Sequence, residues 1–326
     1  MARRGYLLVG GVAAVLTLLT TSVVRADSEP AVNRPASPGP IVTAAATATA
    51  TEHRDRRTSA PLTLAAGPVR VTPSGFFAWA LLDRRTGKIA GRNLTATNST
   101  ESMIKIWIVA DFLRRAADRH DQPTERRLAQ ARAAIRDSDD DAAQSLYVAG
   151  GRDAVVSRMI RMCALTDTEI AGPLGDNDRG WWSYTRISAR DAVRLGECVK
   201  NGTAAGSRWT AWVLEQMSEV RGSAAPKDQQ ARRGGGRWGI IDGLPDAIRS
   251  REPIAIKNGW TLINADQKWH LNCLAVADDW VLAVLMRYPG KLGLRYGARV
   301  CQSVAAQLVT RRSATDYRAS ASVRQR

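Results

Sequence analysis

The sequence predicts an α+β domain in which an antiparallel sheet, flanked by helices, is assembled from both ends of the folded segment, with a helical lobe between them. Three observations lead there: strand-like apolar runs at 75–82 and again after Pro253, a broad apolar helix beginning at Ser102, and a series of shorter helices in the middle. Residues 75–82 (GFFAWALL) suit a strand. Arg85-Thr86-Gly87-Lys88 supplies a turn and Ile89 opens a second strand, so the pair forms a hairpin. From 102 to about 117 the spacing becomes helical, and Ile104, Trp107, Ile108, Ala110 and Phe112 cover enough of the surface to bury the helix on most sides. A charged helix at about 124–136 leads into the turn Asp137-Ser138-Asp139-Asp140, and helices follow at about 141–149, 152–162, 188–200 and 208–217. Residues 218–237, with Gly222 and Gly234-Gly235-Gly236, read as loop. Strands return at 254–260, 269–277 and 280–288, and a last helix at about 294–310 carries Val300, Val304 and Leu308.

The 326 residues, 44% of them apolar, accommodate one sizeable domain with extensions. Arg3 and Arg4 precede an uncharged stretch at 6–24, and Val24-Arg25-Ala26 places small residues where a signal peptidase reads them, so 1–26 is expected to be a signal peptide. The alternative is an uncleaved membrane anchor, because such a stretch can just span a bilayer. Gly10, Gly11 and the threonines dilute it and favour cleavage. No cysteine follows the apolar stretch, so a lipid-modified N-terminus is not expected. Residues 27–66, rich in Ala, Thr, Pro and Ser, read as a disordered linker, 67–312 as the folded domain, and 313–326 as a disordered tail. The expected location is extracellular, on the cell-envelope side.

The formal net charge is +16, which bears on partners rather than fold. The basic residues are mostly arginines scattered along the chain, with no nucleic-acid-binding motif; together with the export signal this argues against nucleic acid and leaves an anionic membrane or an anionic cell-wall surface. Cys163, Cys198, Cys273 and Cys301 form no CxxC pair, and only His53, His120 and His270 could join them, so neither a metal nor a cofactor is expected. Outside the cytoplasm an even cysteine count suggests two disulfides. Connectivity is not fixed by sequence; Cys163–Cys198 with Cys273–Cys301 is chosen because each pair lies within one block of the chain.

Ser102-Met103-Ile104-Lys105 puts a serine and a lysine on one face at a helix start. A serine hydroxyl needs a neighbour to take its proton, and a desolvated lysine can do so. A surface lysine is hard to explain in so apolar a helix. Ser138-Asp139-Asp140 stands at a helix N-terminus, where capping alone would account for it. Lys257-Asn258-Gly259 ends an expected strand, where a lysine could meet a substrate carboxylate or merely occupy an edge.

In this order, S-x-x-K, then S-D-x, then a strand-borne K-x-G, the sequence resembles the class A β-lactamases and penicillin-binding proteins, and specifically a divergent group of exported actinobacterial proteins with a KNGW third motif. The hairpin with Asp83-Arg84-Arg85-Thr86-Gly87-Lys88, the segment 187–195 and the segment 239–245 (GIIDGLP) extend the resemblance over nearly all of 75–310. It implies that Ser102 is acylated, Lys105 accepts its proton and Ser138 relays a proton to the leaving nitrogen. It also implies that Asp140, Lys257, Asn258, Gly259 and Trp260 bind substrate, and that the backbone N–H groups of Ser102 and Trp260 form an oxyanion hole. The implied partner is a β-lactam or a peptidoglycan-related peptide.

The pattern also departs from the family. Asp140 replaces an Asn and Asn258 a Thr or Ser, and only 36 residues separate Ser102 from Ser138, so the helical lobe is expected to be reduced. Glu169 is the only glutamate in the loop at 164–186 and thus the candidate deacylation base, yet it lacks the family's E-x-x-x-N context. Trp181, Trp182 and Tyr184 are expected to pack that loop onto the helical lobe, with a stacking wall for a ring-bearing ligand as the alternative. Two readings follow: a serine hydrolase with slow deacylation, or a catalytically impaired protein of the same fold that binds cell-wall material or a protein partner.

Overall fold

A computed structural model of the chain describes residues 69–171 and 181–309. The expected signal peptide, linker and C-terminal tail lie outside the described residues, as does part of the loop at 164–186. In chain order the strands are β1 (Phe76–Asp83), β2 (Ile89–Arg92), β3 (Thr97–Ser99), β4 (Arg186–Ser188), β5 (Gln229–Gln230), β6 (Arg233–Gly234), β7 (Ala255–Ile256), β8 (Gly259–Ile263), β9 (Lys268–Val276) and β10 (Trp280–Pro289). The main sheet runs β2-β1-β10-β9-β7, with β8 also pairing β9. The N-terminal hairpin therefore joins the C-terminal strands antiparallel, Trp79 opposite Val284 and Ala80 opposite Ala283. β1, β9 and β10 are buried along most of their length on both faces, which is why they read as apolar runs rather than as alternating patterns.

Helices are α1 (Lys105–Asp118), α2 (Glu125–Arg136), α3 (Asp140–Ala149), α4 (Asp153–Met162), α5 (Ala189–Lys200), α6 (Gly206–Ser218), α7 (Ile240–Gly243), α8 (Asp246–Arg249) and α9 (Gly293–Leu308). α5 lies on the sheet face formed by Leu274, Val276 and Val281, and Gly196 permits its close approach: a Cβ there would meet Val281 Cγ1 at 2.6 Å. α9 lies on the opposite face, over Leu271 and Tyr288. α1 forms the axis of the helical lobe, packed by α2, α3, α4 and α6. Ile106, Trp107, Ile108, Val109 and Leu113 of α1 are all buried. Its one buried carboxylate, Asp111, is met by Arg114 at 2.7 Å and by Arg158 of α4 at 2.5 Å, so a charge that would be costly alone is paired across the lobe.

Some elements differ from expectation. Residues 218–237 hold a small β5–β6 hairpin within the loop. Residues 239–245 contribute the short helix α7, whose Ile240 and Ile241 are buried. The strand expected at 254–260 is interrupted at Lys257 and Asn258 but keeps one register along β9, Ile256 opposite Ala275 and Gly259 opposite Asn272.

The disulfides are Cys163–Cys198, joining the end of α4 to α5, and Cys273–Cys301, joining β9 to α9. Each closes a loop of intermediate length, separations 35 and 28, worth roughly 3–4 kcal/mol by loop-closure entropy. Replacing Cys273 and Cys301 together by Ala should lower the melting temperature by roughly 6–12 °C. Calorimetry of the variant against the oxidised protein checks this.

Candidate active site

Ser102 sits in the 3-10 turn Glu101–Ile104 that leads directly into α1. That turn is held from two sides. Asn272 of β9, fully buried, donates its amide to Ser99 O (2.7 Å) and Thr100 O (3.0 Å), while Asn98 donates to Asn272 Oδ1 (3.0 Å). From the other side β8 presses on the backbone: a Cβ on Gly259 would lie 2.5 Å from Met103 N and 2.7 Å from Ser102 N, so only glycine fits. The residue before the nucleophile, Glu101, takes a left-handed φ of 48°, a conformation that L-residues adopt at a cost and that packing must hold.

Lys105, the first residue of α1, has no solvent exposure. Its Nζ donates to Ser138 O (2.5 Å), to Asp140 Oδ1 (2.6 Å) and more weakly to Ser138 Oγ (3.3 Å), and lies 5.2 Å from the centre of the Trp182 ring. Burial pushes its pKa below the ordinary lysine value, and the Asp140 carboxylate works against that. Asp139 caps α3, accepting from Ala142 N at 2.8 Å. Ser138, with φ 53°, is thus not the cap, and its hydroxyl turns inward. There it also accepts from Lys257 Nζ at 2.9 Å. Lys257 is buried too and donates to Asn258 O at 3.0 Å; burial first, then the nearby Lys105 charge, push its pKa well down. One serine hydroxyl therefore bridges two buried lysines.

These groups open onto a groove of about 860 Å³ whose lining includes Ser102, Ser138, Asp140, Trp260, Arg233 and Arg295. A second cavity of about 270 Å³ adjoins Ser102 and is lined by Glu101, Trp182, Ser183 and Thr261. Of the sequence-derived site residues, Ser102, Lys105, Ser138, Asp140, Lys257, Gly259 and Trp260 are brought together. Asn258 is not turned toward the groove: its amide donates to Gly236 O and Trp238 O, both at 2.8 Å, and clamps the 236–238 segment to the strand. Glu169 is exposed, and its backbone pairs with Arg186 (3.0 and 2.9 Å) away from both cavities. Trp182 is buried, donating to Gln144 Oε1 of α3 at 3.0 Å, which fits the packing role expected for it.

Glu101 is the site residue that motif reasoning passes over, because the motif begins one residue later. The available signal is an acid set against the apolar run Met103-Ile104-Lys105-Ile106-Trp107-Ile108. Its carboxyl accepts from Ser99 Oγ (2.6 Å) and Thr261 Oγ1 (2.5 Å), and burial pushes its pKa up to about 7.

No protein-family model matches the chain. Two curated relatives bear the name "Putative lipoprotein LppW", from Mycobacterium tuberculosis and Mycobacterium bovis. Each is 28% identical over 201 residues, 61% of this chain and 59% of the relative, so the match spans less than two thirds of their length. Among solved structures, a β-lactamase from Burkholderia vietnamiensis superposes with TM-score 0.55 at 16% identity, covering 72% of this chain and 89% of that one. A β-lactamase from Xanthomonas campestris gives 0.54 at 15% (73% and 93%), and PBP-A gives 0.52 at 15% (73% and 90%). The fold is that of the class A β-lactamases and PBP-A, an antiparallel sheet flanked by helices with a helical lobe. In sequence, the chain is similar to these mycobacterial proteins at 28% identity.

Two substitutions test the geometry. Asp140→Asn removes the charge that holds Lys105 protonated, so more neutral amine is present at neutral pH and acylation by a penicillin should speed up, roughly tenfold for each unit by which the lysine pKa falls. Gly259→Ala pushes the Ser102 backbone from its place and should slow acylation by about 100-fold. Stopped-time intact-mass measurements of adduct formation check both.

Proposed function

We propose that this chain is an exported serine hydrolase of the penicillin-recognising type, acylated at Ser102 by a β-lactam or a cell-wall peptide amide. The observation that carries this reading is the hydrogen-bonded series Lys105–Ser138–Lys257, whose central Ser138 lines the groove together with Ser102. Neutral Lys105 takes the proton of Ser102 Oγ, and the oxygen attacks the carbonyl carbon. The C–N bond breaks, and Ser138 delivers a proton to the leaving nitrogen, with the lysine ammonium replenishing it. The backbone N–H groups of Ser102 and Trp260 would receive the oxyanion, with β8 held against the Ser102 turn by the absence of a side chain at Gly259.

An anionic ligand is supported by Arg233 and Arg295 in the groove, with Trp260 supplying an apolar wall. Lys257 would then act mainly on Ser138 rather than directly on a carboxylate. Glu169, absent from the lining of both cavities, gives no support to its role as deacylation base, and deacylation is expected to be slow. The folded domain 67–312 would follow a leader and linker and reside on the cell-envelope side. That placement is supported by the two disulfides and by the lipoprotein name of the mycobacterial relatives. Whether the leader is cleaved or retained as an anchor follows from N-terminal sequencing of the exported protein.

One observation favours a second reading, a catalytically impaired binder of cell-wall material or of a protein partner: Asp140 pairs with Lys105 at 2.6 Å and holds the base in its charged form. Incubation with penicillin G followed by intact mass and peptide mapping separates the two. The hydrolase reading expects a covalent adduct on the Ser102 peptide, absent in Ser102→Ala. An unmodified wild-type protein leaves the binder.

A further inference from the structure

Glu101 is buried one residue before the nucleophile, lines the cavity beside Ser102, and forms the inner end of a chain of polar side chains leading to the surface. Its Oε1 meets Ser99 Oγ at 2.6 Å, Ser99 Oγ meets His270 Nδ1 at 2.8 Å, and His270 Nε2 meets Asp266 Oδ2 at 3.0 Å. Ser99 and His270 are buried, whereas Asp266 is exposed. We propose that Glu101 is the carboxylate that takes a proton from the water hydrolysing the Ser102 ester, and that Ser99 and His270 conduct this proton to Asp266 and solvent. The inference rests on the acylation reading above and supplies the step that Glu169, outside the site, does not.

The donor and acceptor inventory supports it. With Nε2–H of a neutral His270 donating to Asp266, Nδ1 is an acceptor, and the Ser99 hydroxyl at 2.8 Å fills it. Ser99 Oγ then has its lone pairs turned to Glu101, a contact satisfied when Glu101 is protonated. If the proton instead sits on His270, imidazolium Nδ1–H donates to Ser99, Ser99 donates to Glu101, and Glu101 is a carboxylate. Both arrangements contain the same number of protons and keep every hydrogen bond. The chain can therefore hold one proton at either end, with Ser99 passing it across.

Other charges bear on both ends. Lys105 and Asp140 face Glu101, and Tyr184 lies within its field; Asp266, Lys268 and Arg287 face His270. Burial is the largest influence at each end, raising the Glu101 pKa to about 7 and lowering that of His270. At rest below neutrality the proton sits on Glu101; above it, Glu101 is a carboxylate able to act as base.

In the step itself, the water oxygen attacks the carbonyl carbon of the ester as its proton goes to Glu101. The bond from that carbon to Ser102 Oγ then breaks. Ser102 Oγ takes up the remaining proton of that water, relayed by the neutral Lys105 amine, and a carboxylate leaves. The cavity of about 270 Å³ shared by Glu101, Ser102, Trp182 and Ser183 has room for that water.

The test is the first-order loss of a preformed penicillin G adduct, followed by intact mass, a rate independent of how fast the adduct formed. In the wild type the loss should accelerate as pH rises, with an inflexion near 7. Glu101→Gln, which keeps the shape, should slow it at least about tenfold and flatten the profile. His270→Gln, which keeps the Glu101 carboxyl but cannot take the proton, should slow the loss while leaving its rise with pH in place. A wild-type loss flat across neutral pH, or one unchanged in rate and profile in both variants, overturns this inference and leaves acylation at Ser102 standing. A wild type that forms no adduct overturns the acylation reading and this one with it.

Discussion

Two lysine amines buried around a single serine hydroxyl, with one half-exposed carboxylate to balance them, are the constraint on which this molecule is organised. Lys105 and Lys257 have no solvent exposure, and both converge on Ser138 Oγ. Two ammonium groups at that distance inside a protein repel, and burial disfavours each. Among the described residues, only Lys105 of the two has a carboxylate, Asp140, within ion-pair distance. The arrangement therefore favours charge on Lys105 and neutrality on Lys257. A neutral Lys257 can accept the Ser138 proton and hand it back, while Lys105 must first be released from Asp140 before it can deprotonate Ser102.

The fold brings these groups together from three separate stretches of chain. α1 carries Lys105, the N-terminus of α3 carries Ser138 and Asp140, and the strand along β9 carries Lys257. Asn272 fixes the segment before Ser102 to the centre of the sheet, and Gly259 lets the edge strand close on it. The two disulfides fasten helices to the body of the domain away from the groove, one linking α4 to α5 and the other β9 to α9, so the site is framed by elements held covalently as well as by packing.

Much of this was legible in the sequence, for local reasons. The apolar runs that become β1, β9 and β10 are buried on both faces and leave a continuous pattern, and α1 is so apolar that a lysine within it calls for an explanation. What escaped the sequence depends on contacts between distant segments. The β5–β6 hairpin consists of polar and glycine residues with no alternation to read. Asn258 looks like a groove residue until its amide is seen clamping Gly236 and Trp238. Glu169 has the right type and loop, but its strand-like pairing with Arg186 takes it elsewhere. Glu101 was hidden because its meaning comes from Thr261 and from Ser99, which connects it to His270, more than 150 residues away along the chain.

Activation of Ser102 by a lysine amine is tested most directly by the pH dependence of the acylation rate. With penicillin G in excess, the rate of adduct formation on the Ser102 peptide should rise with pH and level off at an inflexion below the ordinary lysine value, because burial lowers the Lys105 pKa, and Lys105→Ala should abolish the rise. A rate that climbs to the ordinary lysine value without levelling, or an unaltered profile in Lys105→Ala, would contradict it.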